Sequence, residues 1–159
     1  DRVIEAYEQF KEEYKYVINV QGDEPTINKD DINSLIKEVK KDPFKISTLV
    51  GSLEEKQKRD RNTVKAYIED EEIKLFTRSP IIGHSIWIKR HIGVYAFERK
   101  VMHAINKERM IETDNEIVER LEQLRWVDNN IRFSYVVTLG RYKGVDTKED
   151  LEEIKNFFI

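Results

Sequence analysis

Val17-Ile18-Asn19-Val20-Gln21-Gly22-Asp23-Glu24-Pro25 joins an apolar run to a polar break carrying a glycine. Val17, Ile18 and Val20 read as a buried strand, and acids set just past such a strand mark a ligand crevice in α/β sheets. At the far end of the chain Asp146, in Gly144-Val145-Asp146-Thr147, follows the last strand-like run in the same way. Two such carboxylates can share one metal ion.

Around that stretch the pattern alternates helix and strand. Val3, Ile4, Tyr7, Phe10 and Tyr14 recur at helical spacing before the strand. After it, Asn28 reads as an N-cap with Asp31 at the third helical position, and Ile32, Leu35, Ile36 and Val39 form the buried stripe. Residues 46–50 are the next strand. Residues 64–68 and 73–76 flank Glu69-Asp70-Glu71-Glu72 and read as a hairpin with an acidic, solvated turn. A strand over 92–97 and a short helix over 99–105 follow. Thr113-Asp114-Asn115-Glu116 fits a capping box opening a helix that reaches Arg125. Residues 131–137 are the last strand, and Thr147 caps a closing helix whose Glu149 and Asp150 favour the positive end of its dipole. The order is mixed α/β, with a hairpin where a plain βαβ repeat would place a helix.

The 159 residues are one domain's worth of chain, enough to bury about two-thirds of its unfolded surface. Charged residues make up 37% with a net charge of −3, and Lys and Arg are interleaved with Asp and Glu, so no basic stripe points to nucleic acid. The absence of cysteine removes disulfides, thiolate metal sites and thiol nucleophiles, and it suits the cytosol. No apolar run approaches the roughly 20 residues of a membrane span. Asp1-Arg2-Val3-Ile4 already sits inside a helical pattern, which suggests a chain whose beginning is missing.

Each candidate site residue has a plain reading beside a functional one. Asp23 can cap a turn before Pro25, yet Gly22 lets a ligand approach the backbone, and Gln21 and Glu24 add polar groups a turn does not need. Gly144 and Thr147 suit any strand-to-helix turn around Asp146. Held together, Asp23 and Asp146 suit Mg²⁺, which takes one or two carboxylates from protein and the rest of its oxygens from water and phosphate. His91, Gly93 and Tyr95 alternate along one strand face, shaped either as a ligand wall or as a half-buried pair. Glu119, Glu122 and Gln123 fall on one side of the helix read there, with Val118, Leu121 and Leu124 opposite. Arg78, before Ser79-Pro80, presents a guanidinium to a carboxylate, a phosphate or solvent. Trp87, Met102 and Trp126 read as core or interface.

Six motifs carry a resemblance. The opening stretch, Asn62-Thr63-Val64-Lys65, Phe76-Thr77-Arg78-Ser79-Pro80-Ile81, His91-Ile92-Gly93-Val94-Tyr95, Glu119-Arg120-Leu121-Glu122-Gln123-Leu124-Arg125 and Gly144-Val145-Asp146-Thr147-Lys148-Glu149-Asp150-Leu151 follow in the order of the 3-deoxy-manno-octulosonate (Kdo) cytidylyltransferases, which the chain resembles over nearly its whole length. The resemblance implies a mixed-sheet, Rossmann-like nucleotidyltransferase fold and transfer of CMP from CTP to Kdo, an acidic eight-carbon sugar, with release of pyrophosphate, for lipopolysaccharide or capsule. It implies that Asp23 and Asp146 are the catalytic Mg²⁺ ligands and that Gln21, His91, Tyr95, Glu122 and Gln123 contact the sugar. It also implies a cytoplasmic homodimer formed through the sheet extension after the hairpin, with Trp87 and neighbouring apolar residues at the contact.

The family opens with a strand and a loop bearing Ser, Arg and Lys that holds the CTP phosphates. No counterpart is visible here, so the expectation is a C-terminal portion that does not complete the reaction alone. Ile82 stands where the family usually has a second proline, and residues 83–90 are short. A cytidylyltransferase for another acidic sugar of the nonulosonate type, and a non-catalytic dimerisation module, remain as alternatives.

Overall fold

Thirteen elements make up the computed structural model, which describes residues 2–10, 13–83, 85–108, 111–140, 142, 144–145 and 147–155. In chain order they are α1 (Arg2–Phe10), β1 (Tyr16–Val20), α2 (Lys29–Val39), β2 (Lys45–Gly51), α3 (Glu55–Arg59), β3 (Lys65–Glu69), β4 (Glu72–Thr77), β5 (Ile88–Glu98), α4 (Arg99–Glu108), α5 (Asp114–Glu119), α6 (Gln123–Asp128), β6 (Arg132–Val137) and α7 (Lys148–Lys155). The mixed α/β reading holds.

Strand β5 organises the sheet, whose order is β1-β5-β2-β6-β4-β3. Ala96 pairs with both Ile18 of β1 and Ser47 of β2, and Arg90 pairs with both Gly51 of β2 and Lys65 of β3. β1 and β3 therefore share one edge of β5 and part along it, β3 ending at Arg90 and β1 at Val94. β2 runs parallel to β6, β6 meets β4 at Phe133 and Ile73, and β4 closes the hairpin with β3. The sheet thus turns back on itself, and the fork between β1 and β3 is left open on its edge.

Alternation along β5 sends its side chains to two cores. Ile92, Val94 and Ala96 pack with Leu35 and Val39 of α2. Tyr95 and Phe97 pack with Met102, Leu124, Trp126 and Phe133. Trp126 and Met102 are core residues, as their sequence setting suggests. The acidic hairpin turn is also present: Asp70 and Glu71 both adopt positive φ, 49° and 59°, the backbone of a turn whose twist matches paired strands.

The first helix ends at Phe10, leaving Tyr14 outside it and exposed. The single helix expected from Thr113 to Arg125 is two. Arg120 takes a left-handed conformation (φ 55°) that ends α5, and the Leu121 amide donates back to the Glu116 carbonyl. The break swings Leu121 and Leu124 into the core and leaves Ile117 and Val118 in solvent, so Val118 is not on a buried face and Glu119, Glu122 and Gln123 do not share one helix side. Thr113 caps the Glu116 amide as read, but the Glu116 carboxylate takes Arg125 instead, at 2.7 Å from Nε and 2.6 Å from Nη2. That buried pair fastens α5 to α6. Helix α3, opened by a capping box between Glu54 and Gln57, has too short an apolar pattern to be visible in the sequence.

Candidate active site

The fork between β1 and β3 opens into a cleft of about 1620 Å³, larger than the few hundred Å³ that one small ligand fills. Gln21, Asp23, Arg78, His91, Tyr95, Glu122 and Gln123 all line it. Asp146 lies outside the described residues. Gly144 and Thr147, close to it in sequence, line the same cleft, and the Val145 amide donates to the Asp23 carbonyl at 2.9 Å, so the backbone just before that position runs beside Asp23.

A bulge shapes the back wall. Thr48 pairs with Tyr95 and Leu49 with Ile92, so Gly93 and Val94 have no partner of their own on β2, the kind of irregularity that re-aims side chains beside a site. Where β1 leaves β5, the Gln21 amide donates to the Gly93 carbonyl at 3.1 Å and the Gly93 amide donates to Glu24 Oε1 at 3.4 Å. The Gln21 side chain lies directly over Gly93, where an added Cβ would sit 1.9 Å from Gln21 Oε1. Only glycine at 93 leaves Gln21 this place.

His91 is buried with a single tautomer. The Thr48 hydroxyl donates its one proton to the Val94 carbonyl at 2.8 Å, so its oxygen accepts from His91 Nε2, 3.0 Å away. Nδ1 is then an acceptor. Burial, helped by the Arg78 charge, lowers the His91 pKa to about 3. In the unfolded chain the ring charges near pH 6.5, so between about 6.5 and 3 the unfolded state binds more protons and folding stability falls as pH drops. The ¹⁵N spectrum of His91 should show a neutral Nε2–H ring from about pH 8 down to about pH 5; titration with a midpoint near 6.5, or an Nδ1–H signal, contradicts the assignment.

Tyr95 lies beside His91 with its ring tilted by 43°, centroids 5.4 Å apart, and burial with the nearby Glu122, Asp23 and Glu24 carboxylates pushes its phenol pKa up. It stays a neutral hydroxyl. Phe76 meets His91 edge-on at 4.9 Å and Trp126 meets Tyr95 at 6.4 Å, so the wall rests on the aromatic core.

Arg78 stands at the other lip. Its Nη1 donates to the carbonyls of Arg61 and Asn62 at 3.2 and 3.0 Å, its amide donates to Glu119 Oε2 at 2.6 Å, and Thr77 and Ser79 donate to Glu119 Oε1. Glu119, placed by its spacing on one helix side with Glu122 and Gln123, instead anchors the Arg78 segment. Gln123 is buried on the site side of α6, and Glu122 remains exposed. Tyr142, which nothing in the sequence distinguishes, packs in the α2 core and bonds Asp31 through its hydroxyl, while its carbonyl accepts from Arg90 at 2.6 Å.

The donor chemistry fits a hard cation. The Asp23 carboxylate makes no hydrogen bond or ion pair among the described residues, and open space surrounds the neighbouring Gly22. Among the described residues no helix is long and apolar enough to cross a membrane.

The family described as cytidylyltransferase matches residues 1–133. The 3-deoxy-manno-octulosonate cytidylyltransferases of Fusobacterium nucleatum and Chlorobium phaeobacteroides are 33% and 36% identical, each alignment covering 98% of this chain and 65% of the relative. The chain therefore spans about 65% of the length of these relatives. A solved CMP:2-keto-3-deoxy-manno-octonic acid synthetase complexed with CTP superposes with a TM-score of 0.86 at 29% identity, covering 99% of this chain and 66% of that one. A putative glucose-1-phosphate thymidylyltransferase from Bacillus anthracis, at 18% identity and a TM-score of 0.60, shares the fold.

Proposed function

The chain belongs to the cytidylyltransferase family, and on that premise we propose that its protein transfers CMP from CTP to Kdo, giving CMP-Kdo and pyrophosphate. The observation that carries this reading is the fork itself, where Asp23, His91, Tyr95 and Arg78 line one cleft. The relatives' shared name supports the choice of sugar.

In the transfer the anomeric hydroxyl oxygen of the sugar bonds to the α-phosphorus of CTP, the bond from that phosphorus to the bridging oxygen breaks, pyrophosphate departs and the hydroxyl proton is lost. Asp23, with Asp146, is proposed to hold Mg²⁺, which when bound neutralises phosphate charge and orients the reacting oxygens. The remaining work falls to binding and orientation. Arg78 pairs with the sugar carboxylate, and a pre-set guanidinium suits that planar group. His91 Nδ1 accepts from a sugar hydroxyl, Tyr95 donates, and Gln21, Glu122 and Gln123 supply the further polar contacts. Ile82, Ile86 and Trp87, 95%, 75% and 55% exposed beyond the hairpin, support a homodimer contact there. We place the reaction in the cytoplasm, where CTP is made.

The test is pyrophosphate release from CTP and Mg²⁺ by the protein carrying this chain. Kdo should be preferred over a nine-carbon acidic sugar by about 10-fold or more in kcat/KM, the scale that one pocket's contacts can enforce. Preference for the nine-carbon sugar moves the reading to that substrate, and release with neither overturns it.

A further inference from the structure

The side chain most at odds with its surroundings is Lys65, at the start of β3. It is fully buried, and burial lowers its pKa. An ammonium is not placed in a core without acceptors. Its Nζ donates to the Asp60 carbonyl at 2.5 Å and to the Arg78 carbonyl at 3.1 Å. These two carbonyls belong to two separate lips of the cleft. The first lip is a turn in which Asp60 accepts from the Asn62 amide and the Thr63 hydroxyl, both at 2.9 Å, and which offers the Arg61 and Asn62 carbonyls to the Arg78 guanidinium. The second is the end of β4 that carries Arg78 itself.

We propose that Lys65 is a positioning residue that ties these two lips together and thereby sets the direction in which Arg78 meets the carboxylate of an acidic sugar. Arg78 is gripped at three points: Lys65 takes its carbonyl, Glu119 its amide, and the 60–62 turn one end of its guanidinium. The remaining guanidinium N–H groups stay available to the cleft. Replacing Lys65 by an apolar side chain removes the donor that the Asp60 and Arg78 carbonyls share, and the turn and the strand end lose their common fixed point. Lys65 touches no ligand in this scheme and acts only through Arg78.

The proposal rests on the reading of the cleft as an acidic-sugar site, so one of its two tests is independent of substrate. In the ¹⁵N spectrum the Arg78 Nη1–H groups, held by the Arg61 and Asn62 carbonyls, should give a dispersed, slowly exchanging signal. In Lys65→Met that signal should move to the position of free arginine, and in Lys65→Arg, which keeps donors for both carbonyls, it should move less. An unchanged Arg78 signal in Lys65→Met overturns the proposal whatever the substrate.

The second test is kinetic. Lys65→Met should raise KM for Kdo by about 10- to 100-fold, the scale of a lost charge-assisted contact, with kcat at saturating sugar within about threefold. Arg78→Ala should raise KM similarly, and the double variant should be within about twofold of the worse single one. Fully multiplicative effects, or a fall in kcat at constant KM, overturn the coupling. Where Lys65→Met does not fold, Glu119→Gln loosens the same segment from the surface side and should raise KM by about 3- to 10-fold; no change there overturns it too. If the wild type turns over no acidic sugar, the functional reading fails while the Arg78 signal still decides the role of Lys65.

Discussion

Asp23→Asn should lower kcat/KM by about 10³-fold and leave the melting temperature within about 2 °C. The two halves of that expectation come from different observations. Asp23 is exposed at the lip of the cleft, and among the described residues its side chain has no partner while its backbone carbonyl accepts from the Val145 amide. An exposed side chain without partners contributes little to folding, typically within ±0.5 kcal/mol. The neutral amide is nearly the same size, so the Gln21-to-Glu24 turn keeps its shape. What is lost is negative charge at the point proposed to hold Mg²⁺, where a metal contributes several kcal/mol of charge stabilisation to the transfer. Binding of Mn²⁺ followed by electron paramagnetic resonance separates a metal defect from a sugar defect, because Kdo affinity without metal should change little. Near-normal turnover in Asp23→Asn would remove Asp23 from the chemistry.

The other large effect concerns stability. Phe133→Ala should destabilise the protein by about 3–5 kcal/mol, the range for deleting a buried aromatic ring. Phe133 is fully buried, with its ring 5.1 Å from that of Phe76 and 6.3 Å from that of Trp126. It also provides the pairing of β6 with β4 through Ile73, which helps turn the sheet back on itself. Set against a usual total of about 5–15 kcal/mol, that loss takes a large share. The melting temperature should fall by roughly 10 °C, and the urea midpoint should fall with little change in slope. Because Phe76 supports His91 and Trp126 supports Tyr95, sugar binding should weaken as well. A shift below about 3 °C would mean the aromatic cluster does not support the wall.

Much of this architecture is readable from local pattern. The strand before Gln21, the Asn28 cap, the acidic hairpin and the alternation of His91 and Tyr95 against Ile92 and Val94 each depend on a few neighbouring residues, and the structure keeps them, except that the first strand lies on the sheet edge and is only half-buried, with Val20 exposed instead of inside. The misplaced features depend on distant partners. Arg120 breaks the 113–125 helix because Leu121, Leu124 and Trp126 are needed in a core built from β2, β5 and β6, and no three- or four-residue spacing reveals that demand. Glu116 leaves its capping role for Arg125, nine residues away. Glu119 is tied to Thr77, Arg78 and Ser79, about forty residues earlier in the chain. Lys65 looks like any strand lysine until the turn at Asp60 and the end of β4 are seen to close over it. The residues that line the cleft are thus visible as motifs, whereas the contacts that hold them in place, those of Lys65 and Glu119 included, are visible only in three dimensions.

A crystal structure of the protein with Mg²⁺ and Kdo tests the assignment of the cleft most directly. Expected are the sugar carboxylate on Arg78 and a sugar hydroxyl on His91 Nδ1, at hydrogen-bond distances of about 2.7–3.1 Å, and a metal on Asp23. Sugar density away from the fork between β1 and β3, or a metal bound elsewhere with Asp23 unengaged, would contradict it.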